Sequence, residues 1–174
     1  MSASKIELKA EVSSRVGASA RLVLPGDAVL VTRGAPRWLL LRCPCGCGEE
    51  IPVNLDARAG KAWRLYKSDS TGLTLFPSVW RDTGCESHFV VWRDRILMFG
   101  GSEGTWDSVD FDIDRLGRRV LETWPRSGFA SYVDIADVLR EIPWDVQEVC
   151  RRLARKGKLV EDGEGRRGWY RRAV

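Results

Sequence analysis

Trp38-Leu39-Leu40-Leu41 leads into Cys43-Pro44-Cys45-Gly46-Cys47-Gly48, and beyond this turn Ile51, Val53 and Leu55 stand at every second position. Alternation at period two marks a strand with one face buried, and Gly and Pro mark the reversal between two such strands. The stretch therefore predicts strand, cysteine turn, strand. Upstream, Lys5 to Val12, Ala20 to Leu24 and Ala28 to Thr32 are short apolar segments, the last two separated by Pro25-Gly26-Asp27. Downstream, Trp63 to Tyr66, Leu73 to Phe76, Phe89 to Trp92 and Arg95 to Phe99 repeat the habit, with Gly, Asp or Ser between them. Residues 1–112 are read as a mainly antiparallel β domain. With 174 residues, 44% of them hydrophobic, and eight Trp, five Phe and three Tyr, the chain has ample material for a core, which excludes a disordered chain. No apolar run approaches the roughly 20 residues of a membrane-spanning helix, and the N-terminus lacks a secretory h-region, so the expected location is the cytoplasm.

Four of the five cysteines and the only histidine fall in two short boxes, the turn above and Gly84-Cys85-Glu86-Ser87-His88. In a reducing compartment, thiolates gathered on Gly- and Pro-containing turns more often bind metal than form disulfides. Zn2+ is the expected ion because it accepts four thiolate or imidazole ligands tetrahedrally. Cys43, Cys45, Cys47, Cys85 and His88 are five candidates for four places, with Cys85-x-x-His88 a good ligand pair. Cys150 belongs to an apolar helical face and is expected in a core. An iron-sulfur reading is weaker, since a Rieske centre needs C-x-H where this chain has C-x-C.

A structural zinc would have four protein ligands, whereas a catalytic one needs an open position for water and a nearby base. Glu49, immediately after the first box, is the expected general base, while Glu50 and Glu86 are as readily solvated surface charges. Ser78 and Ser87 can hydrogen-bond a ligand or a substrate, or simply cap turns. A Ser/His/Asp triad is set aside because the sole histidine is claimed by the metal box.

The period changes towards the C-terminus. Val133, Ala136 and Leu139 share one helical face, and Val146, Val149, Cys150 and Leu153 share another, with Pro143 at the entry and Gly157 as a stop. Leu159-Val160 and Trp169-Tyr170 flank a Gly-rich turn, completing the helix, helix, hairpin order of a winged helix. The Gly-, Ser- and Asp-rich stretch from Gly100 to Asp114 is read as a loop, residues 113–127 as a linker and residues 128–174 as a small winged-helix-like domain, giving an α+β chain. Residues 113–174 hold 14 basic and 10 acidic side chains while residues 1–112 balance at 14 each, so the whole formal charge of +4 lies at this end. Such a field suits nucleic acid or an acidic protein, and equally a solvated surface.

The boxes Cys43 to Glu49, Leu75-Phe76-Pro77-Ser78-Val79-Trp80-Arg81 and Gly84 to Phe89, taken in this order, resemble a bacterial family of domains of unknown function. Its members share CPCGCG, PSIW or PSVW, and GCxSHF boxes, and the resemblance covers roughly residues 25–100. Some relatives are encoded beside ubiquitin-like proteins and their E1-like and E2-like enzymes, so the resemblance implies a metallopeptidase that trims a ubiquitin-like precursor. The expectation is thus a zinc-dependent hydrolase acting on a ubiquitin-like precursor or conjugate. Its rival is a non-enzymatic structural-zinc β module joined to a DNA-binding or protein-docking winged helix.

Overall fold

The computed structural model describes residues 2–99, 111–163 and 165–173. The chain is α+β and divides into two compact units, Met1–Asp107 and Ser108–Val174.

The first unit is built of strands. β1 (Glu7–Val12), β2 (Asp27–Arg33), β3 (Ala35–Arg42) and β4 (Glu50–Asn54) form one sheet in that order. β1 pairs with β2 in parallel, and the other pairings are antiparallel. β2 and β3 are buried on both faces, which is why they read as continuous apolar runs. Ala28, Leu30, Leu39 and Leu41 join Cys43, Ile51 and Val53 in the main core, while Val29, Val31 and Leu40 pack with Ala18 and Leu22 in a second cluster.

That second cluster explains a departure from the expected strand at residues 20–24, where the chain instead makes a short 3-10 turn at Ser19–Arg21. Leu22 is the apolar anchor there, and the amides of Val23 and Leu24 are taken by the Asp27 carboxylate at 2.9 and 2.7 Å rather than by a neighbouring strand. Gly26, at φ +87°, lies where a Cβ would come within 2.3 Å of the Lys5 carbonyl oxygen, so only glycine fits this crossing.

Two smaller sheets complete the unit: β5 (Arg64–Ser68) with β6 (Gly72–Phe76), and β7 (Val79–Trp80), β8 (His88–Trp92) and β9 (Arg95–Met98) in that order. Leu73, Leu75, Val79, Phe89, Val91 and Ile96 bury into the main core. The core therefore holds the ends of β3 and β8, from which the two cysteine boxes emerge.

The second unit contains α1 (Ile113–Thr123), β10 (Ala130–Ser131), α2 (Tyr132–Leu139), α3 (Pro143–Arg155), β11 (Leu159–Glu161) and β12 (Trp169–Arg172). Most of the expected linker at 113–127 is helix. Asp112 accepts from the Arg115 amide at 2.9 Å as an N-cap, and Leu116 and Val120 bury with Trp124 against the other helices. The expected loop over residues 100–110 lies outside the described residues. α2 is capped by Ser131, whose hydroxyl accepts from the Val133 amide at 3.1 Å, and α3 begins with Pro143 in its first turn. Cys150 is buried in α3 as expected, and burial pushes its thiol up. The strands pair antiparallel in the order β10-β12-β11. Among the described residues no helix is long and apolar enough to cross a membrane.

Candidate active site and thiol cluster

The turn between β3 and β4 is closed by the Cys43 amide, which donates to the Glu49 carbonyl at 2.8 Å, and by the Gly46 amide, which donates to the Cys43 carbonyl at 3.3 Å. Gly46 and Gly48, at φ +89° and +83°, supply the left-handed positions that coil six residues tightly enough for three thiols to turn inward. Cys85 arrives from the second box. The four sulfur atoms of Cys43, Cys45, Cys47 and Cys85 lie within 4.8 Å of one another. Cys43 is buried, Cys45 and Cys85 are half-buried and Cys47 is exposed.

Sulfur-sulfur separations of 3.2 Å for Cys43–Cys45 and 3.7 Å for Cys43–Cys85 bracket much of the range needed around one ion. A Zn–S bond of about 2.3 Å implies a tetrahedral edge of roughly 3.8 Å. Burial, followed by the hydrogen bond with Cys43, pushes the Cys45 thiol up to about 12, and burial also pushes Cys43 up. Cys85 goes the other way, to about 6, chiefly through its hydrogen bond with Ser87. Thiols gathered this closely resist joint ionisation unless a cation shares their charge, so the donor set fits a thiophilic metal.

The fifth expected ligand is directed elsewhere. His88 is not part of this cluster; its Nε2 lies 2.9 Å from the hydroxyl oxygen of Ser78. Ser78 immediately precedes β7 and His88 opens β8, and pairing of Trp80 with His88 brings the two strands together. The Ser78 carbonyl accepts from the Trp63 indole Nε1 at 3.1 Å, and the Phe99 amide donates to the His88 carbonyl at 2.8 Å. The imidazole stacks on the Phe99 ring with centroids 4.0 Å apart and planes inclined at 22°. With the ring proton on Nδ1, the Ser78 hydroxyl donates to Nε2, as a nucleophile donates to its base.

Ser87 and His88 are neighbours with opposite allegiances. The Ser87 hydroxyl is buried 3.3 Å from the sulfurs of both Cys43 and Cys85, while the next side chain meets Ser78. Adjacent side chains of an extended chain project to opposite sides, so one short segment carries the thiol cluster on one side and the Ser78–His88 pair on the other. The Arg81 amide donates to the Ser87 carbonyl at 3.0 Å and closes the loop that holds it. Glu49, the expected base, forms an ion pair with Arg81 and so joins the first cysteine turn to this loop. Trp80, 69% exposed, and Phe99, 48% exposed, stand on either side of His88 as an apolar rim.

Sequence reasoning names Ser78 only as a hydrogen-bonding group and sets aside its pairing with His88, because C-x-x-H spacing is equally that of a metal-ligand pair. The available signal was the direct succession Ser87-His88, which in an extended segment sends only one of the two side chains towards Cys85.

Residues 15–99 match the model of a family described as bacterial ubiquitination-like system serine protease (BubE). The match bears out the resemblance to a family of bacterial ubiquitin-like conjugation systems and spans both cysteine boxes, Ser78 and His88; the helical unit lies outside it. Among curated proteins and among solved structures, nothing matches this chain.

Proposed function

We propose that this protein is a serine protease that cleaves a bacterial ubiquitin-like protein from its precursor extension or from a conjugate, with Ser78 as nucleophile and His88 as its base. The observation that carries this reading is the 2.9 Å contact between His88 Nε2 and Ser78 Oγ inside the segment that matches a serine protease family. His88 takes the hydroxyl proton as Ser78 Oγ attacks the scissile carbonyl carbon. It returns that proton to the leaving amine as the C–N bond breaks, leaving an acyl ester on Ser78. Water, deprotonated by His88, then releases the acid and restores the serine.

The surroundings serve that sequence. The Trp63 indole holds the Ser78 carbonyl and thereby the nucleophile's backbone, and the Phe99 ring holds the plane of the imidazole. Trp80 and Phe99 offer exposed apolar surface beside the reacting hydroxyl, suited to an extended tail rather than a folded surface. E1-like and E2-like enzymes of such a system are the expected functional partners.

Cys43, Cys45, Cys47 and Cys85 would hold Zn2+ as a four-ligand structural site, supplying a cross-link and no activated water. Their thiolates fix the 85–88 segment, and with it the position of His88. The zinc-hydrolase reading with Glu49 as base has less support, because Glu49 is engaged by Arg81 and four thiolates leave no open ligand place. In the second unit, the order α1-β10-α2-α3-β11-β12 supports a winged-helix-like reading.

Incubation of the full chain with a ubiquitin-like protein carrying a C-terminal extension tests the proposal. Wild-type protein cleaves at the junction and Ser78→Ala does not; cleavage by Ser78→Ala at the wild-type rate would overturn it.

A further inference from the structure

The second unit contains a groove between α1 and the C-terminal half of α3, with a volume of about 280 Å³. Buried Val149 and Leu153 and half-buried Leu121 form its apolar wall. Gly117 keeps it open, since the nearest atom a Cβ there would meet is Val149 Cγ1 at 4.0 Å. The volume lies at the low end of pockets, which run from roughly 300 to 1,000 Å³, so it accommodates one or two side chains of a peptide rather than a large cofactor.

The charge at the rim is one-sided. Arg152, also in the lining, and Arg155 share the single buried carboxylate of Glu148, at 2.9 and 3.3 Å, so this trio keeps one net positive charge. Arg118, Lys156 and Lys158, which line the groove, have no ion-pair or side-chain hydrogen-bond partner among the described residues, and Asp114 is the single carboxylate in the lining. Three uncompensated cations around an apolar slot describe a site for a chain that brings both a carboxylate and a hydrophobic anchor.

From this we infer that the groove between α1 and α3 docks an acidic peptide segment of a partner protein, its apolar side chain seated against Leu121, Val149 and Leu153 and its carboxylates on Arg118, Lys156 and Lys158. The inference does not depend on the Ser78–His88 chemistry. A nucleic acid is the poorer occupant, because phosphates have no use for the apolar wall.

The test uses the full chain and a short fluorescein-labelled peptide of glutamates bearing a pair of leucines, followed by anisotropy. Saturable binding is expected, with loss when the leucines are replaced by serine or the glutamates by glutamine. Gly117→Leu, which fills the slot on a helical backbone, and Lys156→Glu, which changes only the rim, should each weaken binding about 10-fold or more, equivalent to roughly 1.4 kcal/mol. Absence of saturable binding by wild type overturns the inference. So does equal binding by folded Lys156→Glu, or displacement of the peptide by random duplex DNA at lower concentration than by unlabelled peptide.

Discussion

Asp27 begins β2, and its carboxylate is 2% exposed. One oxygen, Oδ2, accepts from the amides of Val23 at 2.9 Å and Leu24 at 2.7 Å, and Oδ1 meets the Lys9 ammonium at 3.3 Å. Asp27→Ala removes both acceptors and strands two partly buried amides. At about 1.5 kcal/mol for each lost bond to a charged acceptor, the cost is about 3 kcal/mol. Asp27→Asn retains one oxygen for the two amides but sets an NH2 group against the Lys9 ammonium in place of Oδ1, so about 1.5 kcal/mol, less than for Ala, is expected.

Burial by itself pushes the Asp27 carboxyl up, but the Leu24 and Val23 amides and Lys9 together outweigh it and hold the group below its usual range. A carboxylate depressed in the folded state stabilises above the unfolded value of about 3.9, and the contribution disappears as pH falls through the folded pKa. The gap between wild type and Asp27→Asn should therefore be full at neutral pH and close on acidification. Hydrogen exchange of the β2 amides reads the first unit without interference from the second. A gap between wild type and Asn that is unchanged from neutral pH to pH ~3 would refute the account of this carboxylate, as would Ala and Asn variants of equal stability.

Further outcomes follow from the same geometry. Purified protein should contain about one zinc per chain; Cys85→Ser should lose it and loosen the β unit, whereas stoichiometric iron with visible absorption would indicate a cluster instead. Glu49→Gln breaks a half-exposed pair with Arg81 and should cost no more than about 1 kcal/mol while leaving cleavage near wild type. A rate loss of about 10² to 10⁴-fold would instead make Glu49 the base. Trp124→Ala deletes a buried ring that stacks edge-on with Tyr170 and donates to its carbonyl at 3.3 Å. A loss of about 3 to 5 kcal/mol, seen as an early melt of the helical unit, is the expected result.

What was legible in the sequence was whatever a repeating pattern carries. Leu39 to Leu41 and Ile51 to Leu55 announced β3 and β4, and Val146 to Leu153 announced α3. β7 is two residues long and shows no period, and α1 was obscured by the Asp-rich approach to Asp112 and by Gly117 on its buried face. The convergence of two cysteine boxes was also readable, because ligand chemistry demands it whatever the path between them. Which way Ser87 and His88 each face is set by the turn at Cys85 and Glu86, where Glu86 has φ +50°, and by the pairing of His88 with β7. Spacing alone therefore gave His88 to the metal, and the structure brings it to Ser78.

The central claim is that Ser78 is a nucleophile activated by His88, and covalent labelling reads this without a known substrate. A fluorophosphonate probe forms a stable ester with an activated serine hydroxyl by displacing fluoride. Peptide mass spectrometry of the labelled full chain should place a single adduct on Ser78, absent in Ser78→Ala and slowed by roughly 10³-fold or more in His88→Ala. Labelling of Ser78 at the same rate in folded His88→Ala, or an unmodified Ser78 in protein that cleaves a ubiquitin-like precursor, would contradict it.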